Sequence, residues 1–161
     1  MHYVTAQTPD GDLHLIIDDH EVVRASGFGS VQELQKRLPA KLRADDMSRL
    51  AIHPYQKLVQ AYYDGDRTAL DHIPRQQDGS HFQQKAWSAI SSVPYGKTIS
   101  YKELAIAADN PGAVRAVGTA CGQNRLILLV PCHRVLKSDG SIGNYLYGPR
   151  LKAALLSREQ A

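Results

Sequence analysis

A polar, unpatterned stretch, Arg75-Gln76-Gln77-Asp78-Gly79-Ser80, separates two halves of the chain that follow different periodicities. Before it, short apolar runs bounded by turn residues read as strands. Residues 3–8 run into Pro9-Asp10-Gly11-Asp12, Leu13–Ile17 follows, and Asp18-Asp19-His20 precedes Glu21–Ala25, the pattern of an antiparallel meander. Ser30 caps a predicted helix through Val31–Arg37, with Pro39 beyond its end. A second helix is expected from Pro54 to Tyr63, where Tyr55, Leu58, Val59 and Tyr62 recur at helical spacing. After the break the pattern is mainly helical. Ser80 caps a helix over His81–Ser91 whose apolar positions are Phe82, Ala86, Trp87 and Ile90. Ser100-Tyr101-Lys102-Glu103 fits a capping box opening a helix that ends near Asp109. Asn110-Pro111 supplies a cap and a first-turn proline for a helix through Ala113–Cys121, stopped by Gly122. Two short helices joined by a tight turn predict a helix-turn-helix. A last helix covers about Pro149–Glu159, with Leu151, Leu155 and Leu156 facing inward. The expected fold class is α+β. Its parts are an N-terminal domain over 1–78, with an antiparallel sheet and helices, and a mainly helical C-terminal domain over 79–161.

Composition narrows the class of protein. The 161 residues suffice for one generous domain or two small ones, and 43% hydrophobic with 22% charged residues argues against disorder. A formal charge of +3 is compatible with a polyanionic partner without demonstrating one. The start of the chain carries neither a basic leader nor a long apolar run, and the longest apolar run, Leu126–Val130, is too short to span a bilayer. The expectation is a soluble cytoplasmic protein with no membrane association. Cys121 and Cys132 are the only cysteines, too few for a disulfide framework. His2, His14, His20, His53 and His72 show no ligand spacing, so no metal and no cofactor are expected.

Pro131-Cys132-His133-Arg134-Val135 follows directly on the apolar run, where a buried strand is expected to reach the surface. A thiol beside a histidine and an arginine sits in an electropositive setting, which favours the thiolate. Taken alone, Cys132 reads more readily as a buried structural thiol than as a reactive one. Neighbouring residues in an extended strand also point opposite ways, so communication between Cys132 and His133 requires a turn or a bridging water.

The pentapeptide does not stand alone. Ser100-Tyr101-x-x-Leu104-Ala105, Arg115-Ala116-Val117-Gly118 and Gly143-Asn144-Tyr145 accompany it in order and in spacing. With these motifs the sequence resembles the O6-alkylguanine-DNA alkyltransferase (methylated-DNA–protein-cysteine methyltransferase) family, densely from Phe82 to Glu159. The N-terminal half matches only as a small α/β partner. The resemblance implies DNA repair by direct reversal: irreversible, stoichiometric transfer of the alkyl group from O6-alkylguanine, and O4-alkylthymine, to Cys132 after nucleotide flipping. It makes His133 a general base acting through water, supported by Glu159. Asn124 would organise the backbone, and Tyr101 would donate its hydroxyl to the guanine ring. Arg115 would fill the gap left by the extruded base, on a helix whose Ala113, Ala116 and Gly118 allow close approach in the minor groove. Lys97, Lys102 and Arg125 would meet phosphates. Val135, Tyr145, Leu146 and Tyr147 would line the pocket, with backbone near Cys132, Val135 and Leu146 reading the guanine edge. The implied partner is double-stranded DNA, bound by a monomer.

Two features depart from the family pattern. The first half lacks the cysteines with which some members hold zinc, and bulky Leu146-Tyr147 stands where many relatives carry small residues. The second departure predicts good repair of methylguanine, poor reaction with benzyl-sized adducts, and relief of that discrimination by Tyr147→Gly. Rival readings are an alkylated-DNA lesion-binding protein, a helix-turn-helix redox-sensing regulator and a cysteine hydrolase. The presence of Cys132 disfavours the first, the lack of a dimerisation helix the second, and the absence of protease-like His and Asn signatures the third.

Overall fold

The computed structural model describes residues Met1–Ala161 and divides into two compact units. One comprises Met1–Asp78 with Arg125–Leu129; the other comprises Gly79–Asn124 with Val130–Ala161. A single cut after residue 78 would assign segment 125–129 to the second unit, whereas its packing places it in the first.

In the first unit, β1 (His2–Thr8) and β2 (Gly11–Ile17) pair antiparallel over their full length, and β3 (Val23–Gly27) adds antiparallel to β2. The sheet is mixed, not purely antiparallel, because β4 (Ser48–Leu50) pairs parallel with β1 at His2–Val4 and gives the order β3-β2-β1-β4. This three-residue edge strand is mostly exposed and lacks the apolar alternation that marks a strand in sequence. Helix α1 (Val31–Arg37) has the expected cap, Ser30 Oγ accepting from Glu33 N at 3.1 Å. Helix α2 (Pro54–Tyr63) is capped by His53, whose Nδ1 accepts from Tyr55 N at 3.2 Å. Ile16, Ala25, Leu34 and Leu38 form a buried cluster flanked by Met1, Tyr3, Leu42 and Met47.

The run Leu126–Val130 is buried, as its composition requires, but it is not a strand. Leu126 makes one isolated bridge to Ser26, and Leu128 adopts φ 72°. Its backbone groups are satisfied piecemeal instead of by a ladder. Ser26 N donates to Arg125 O at 2.8 Å, Ile127 N donates to Ser26 O at 3.2 Å, and Ser26 Oγ donates to Ile127 O at 2.6 Å. The half-buried Arg75 guanidinium donates to the carbonyls of Leu70, Ile73 and Leu129.

The second unit is built on α3 (His81–Ser91), α4 (Tyr101–Ala107), α5 (Val114–Gly122) and α6 (Pro149–Gln160). Ser80 and Gln83 cap α3 reciprocally, at 3.1 and 2.8 Å. Ala86, Ile90, Leu104, Ala105, Val117 and Ala120 are buried where α3, α4 and α5 meet, and Trp87 Nε1 donates to Ala120 O at 2.9 Å. At α4 only half of the expected capping box forms, with Ser100 Oγ accepting from Glu103 N at 3.0 Å. The α4–α5 turn also differs from expectation. Asn110 and Pro111 lie before α5, which starts at Val114 with Ala113 as an N-cap lacking a side-chain bond, and Asn110 O accepts from Ala113 N at 3.0 Å. Asp109, at φ 61°, makes the reversal. A two-stranded parallel pair, β5 (Ile99–Ser100) with β6 (Val135–Leu136), fixes the start of α4 beside the chain that leaves Cys132. No helix is long and apolar enough to cross a membrane.

Candidate active site

Cys132–Arg134 form a single 3-10 turn, with Arg134 N donating to Pro131 O at 2.9 Å. Proline fixes the entry to this turn, and the turn replaces the extended geometry that would have sent Cys132 and His133 to opposite faces. Cys132 is 7% exposed and His133 is fully buried. Asn124, itself fully buried, donates through Nδ2 to Val130 O at 2.9 Å and to Cys132 Sγ at 3.4 Å. One amide thus holds the approach to the turn and the sulfur together, and a hydrogen-bond donor aimed at sulfur favours its negatively charged form.

Behind the sulfur lies a buried charged cluster. His133 Nε2 meets Glu159 Oε2 at 2.9 Å. Because a carboxylate only accepts, Nε2 carries the proton and Nδ1 is left as the basic nitrogen; Nδ1 is buried and makes no hydrogen bond to the protein. Burial holds the His133 pKa below its ordinary value, opposed by the hydrogen bond and charge of Glu159 and reinforced by the charges of Arg134 and Lys152. The ring is therefore neutral at neutral pH and fit to take a proton.

Sequence reasoning missed Lys152, and it read Arg134 only as part of the electropositive setting of the thiol, not as the partner of Glu159. Arg134 grips Glu159 with two nitrogens, Nε on Oε1 at 2.8 Å and Nη2 on Oε2 at 3.0 Å, and gives Nη1 to Val93 O at 2.7 Å. Lys152 is fully buried, donating to Val135 O at 2.6 Å and Asn144 O at 3.2 Å. Both hide in helical or turn segments where a long cation reads as surface. The inward stripe of α6 is in fact Lys152, Leu155 and Glu159, with Leu151 and Leu156 only half-buried. The spacing of the stripe was legible; its polar chemistry was not.

The sulfur opens onto a cavity of about 750 Å³ lined by residues of α4, α5 and the 137–146 loop. Tyr145 and Leu146 are among the lining residues, as expected, together with Tyr101, Arg115, Gly118, Cys121, Lys137 and Asn144. Burial, reinforced by the neighbouring thiols, pushes the Tyr101 hydroxyl up to about 12, so it remains a proton-bearing donor. Its ring packs against the loop at Gly143, whose φ of 75° suits glycine, and the Lys152 ammonium lies 5.8 Å from the ring centroid. Cys121 also lines the cavity, but burial pushes its thiol up to about 12, which leaves it a poor nucleophile.

Several expected positions fall elsewhere. Val135 is fully buried, and its carbonyl already accepts from Lys152, so it does not line the cavity. Tyr147 is not a lining residue either; its ring packs edge-on against that of Tyr145, with centroids 6.2 Å apart. The steric argument built on Tyr147 passes to Leu146, which is 49% exposed within the lining. Arg125 belongs to the first unit, where its guanidinium donates to Asp78 O, and it is engaged in holding that segment. Arg115, Ala116 and Lys102 are exposed, while Ala113 and Gly118 are half-buried. No group of three or more His, Cys, Asp or Glu side chains converges as a metal site.

A buried thiol with a donor on its sulfur, next in sequence to a buried His–Glu pair and lining a cavity shared with residues of α4 and α5, is the arrangement of a protein built around one cysteine. The model of the 6-O-methylguanine DNA methyltransferase DNA-binding domain matches residues 81–161. The constitutive methylated-DNA–protein-cysteine methyltransferase of Bacillus subtilis is 32% identical over 160 residues, covering 99% of this chain and 95% of that protein. The chain belongs to the methylated-DNA–protein-cysteine methyltransferase family. The regulatory protein ada of Salmonella typhimurium is 46% identical over 93 residues, 58% of this chain, which spans only 26% of that longer relative. Among solved structures, the Mycobacterium tuberculosis OGT in complex with DNA superposes with a TM-score of 0.81 at 30% identity, covering 99% of this chain and 93% of that one.

Proposed function

We propose that this chain repairs DNA by moving the alkyl group of O6-alkylguanine, and of O4-alkylthymine, onto Cys132 in a single irreversible turnover. The observation that carries the reading is the Cys132 sulfur on the wall of a cavity of about 750 Å³, ample for a nucleobase, bonded by Asn124, with neutral His133 next to it in the chain and paired with buried Glu159. The alkylated oxygen lies within the base stack, so the nucleotide must be extruded into the cavity. His133 takes the thiol proton through a water at Nδ1, and Glu159 stabilises the imidazolium so formed. The sulfur attacks the alkyl carbon, an S–C bond forms as the C–O6 bond breaks, and the electron pair stays with guanine. Tyr101 donates a hydrogen bond to the ring as charge builds on it in leaving, a role suited to a hydroxyl that keeps its proton well above neutrality. The product thioether has no good leaving group, which makes the transfer stoichiometric.

DNA is the partner, entered through its minor groove by α5. The exposed face of that helix carries small residues around the long cation Arg115, which occupies the space of the extruded base. Lys102 meets phosphate, and the chain acts as a monomer. Intact-mass analysis after mixing with a duplex containing one O6-methylguanine tests the reading: each chain gains one methyl group, mapped to Cys132. Repeated turnover per chain, or a methyl on Cys121, refutes it. Arg115→Ala is expected to slow repair in duplex far more than reaction with the free modified base, measured as second-order rates on the two substrates. Duplex affinity should fall with salt through counterion release.

A further inference from the structure

We propose that Arg134 is a positioning residue for the transfer: by clamping both oxygens of Glu159, it fixes the carboxylate that in turn fixes the reactive tautomer of His133. The inference rests on the repair reading above and adds a fourth member to its Cys–His–Glu arrangement. Glu159 is 2% exposed, and three nitrogens converge on its two oxygens. Oε1 takes Arg134 Nε, and Oε2 is shared between Arg134 Nη2 and His133 Nε2. A buried carboxylate held by histidine alone could rotate or take up a proton, and would then no longer hold the proton on Nε2. The planar two-nitrogen fork prevents both, because it supplies the opposite charge and a fixed plane.

Arg134 is itself anchored. Nη1 donates to Val93 O at 2.7 Å just beyond α3, and the guanidinium lies 5.8 Å from the Tyr95 ring centroid. The clamp therefore ties the segment after α3, the Cys132 turn and α6 to one point. The ionisable groups acting on His133 are Glu159 and Lys152 from α6 and Arg134 from its own turn. Glu159 favours the imidazolium, while Arg134 and Lys152 oppose it. Arg134 thus has two separable effects, one geometric through Glu159 and one electrostatic on the ring.

Single-turnover methyl transfer at saturating duplex, followed from pH 5 to 9, separates these effects. R134K keeps the charge but loses the fork; it should slow transfer about 10- to 100-fold, as small misplacements of a catalytic group do, with duplex affinity unchanged. R134M removes the charge as well, and the acid limb of its rate profile should move to higher pH. In the E159Q background, R134K should cost far less than in the native protein, because the geometric effect runs through the carboxylate, whereas the shift of the acid limb in R134M should persist. Multiplicative losses in the two backgrounds, or a loss of rate matched by loss of duplex affinity, overturns the proposal. If R134M does not fold, the R134K pair alone decides through the same cycle. The His133 ring resonances, titrated by NMR in native protein and R134M, provide a readout independent of methyl transfer. A native chain that transfers nothing would defeat the repair reading, whereas an unmoved His133 titration in folded R134M would defeat the electrostatic part of this one.

Discussion

Cys132→Ala is expected to bind a duplex containing O6-methylguanine about as tightly as the native chain and to transfer no methyl at all. The sulfur is one atom on a wall shared with Tyr101, Arg115, Tyr145, Leu146 and others, so its removal takes little from the contact surface. Chemistry, by contrast, has no substitute acceptor. Cys121 faces the same cavity, but its thiol, pushed up to about 12 by burial, is almost wholly protonated near neutral pH. Equilibrium binding by anisotropy, paired with mass analysis of the protein, checks both halves. Methyl transfer to Cys121 in the variant would show that position in the cavity, not activation of the thiol, selects the acceptor.

Glu159→Gln should have the second largest effect, on rate and on stability together. The amide cannot stabilise an imidazolium as a carboxylate does, and loss of that assistance is expected to slow transfer by about 10²–10⁴-fold. It also leaves the Arg134 guanidinium, which is 9% exposed, without its counter-charge; breaking one partner of a buried pair costs about 3–5 kcal/mol. Single-turnover rates and denaturant unfolding measure the two losses, and a variant of native stability would mean that Arg134 finds another partner.

The buried imidazole also sets how the native protein responds to acid. His133 has a folded pKa below its unfolded value of 6.5, so the unfolded chain binds the proton more readily. This contribution to stability is present above pH 6.5 and is lost as pH falls through that value toward the folded pKa. The acid limb of the transfer rate should accordingly lie below pH 6.5.

Much of the local structure was legible in the chain. Ser30 and Ser80 marked the starts of α1 and α3, Pro39 the stop of α1, and the apolar spacing the extents of α2 and α3, because capping and periodicity are properties of a few neighbouring residues. The edge strand Ser48–Leu50 was not legible, since its pairing with β1 is a tertiary event with no local pattern. The segment 126–130 shows the opposite failure. Its composition correctly declared burial, but backbone conformation there is dictated by distant acceptors and donors on Ser26 and Arg75.

At the site, the candidate residues and their class were legible in the chain: a cysteine and a histidine adjacent in Pro131–Val135, a tyrosine opening α4, and motifs spaced to place them in a known family. Folding settles what those residues face. It turned Cys132–Arg134 into a 3-10 turn, aimed Asn124 at the sulfur and put Leu146 on the cavity wall with Tyr147 packed against Tyr145. It also drew Arg134 and Lys152 inside. The physical reason is that a charged side chain is buried only where partners far along the chain satisfy it. Val93 and Glu159 do so for Arg134, Val135 and Asn144 for Lys152, and no window of sequence brings such partners together.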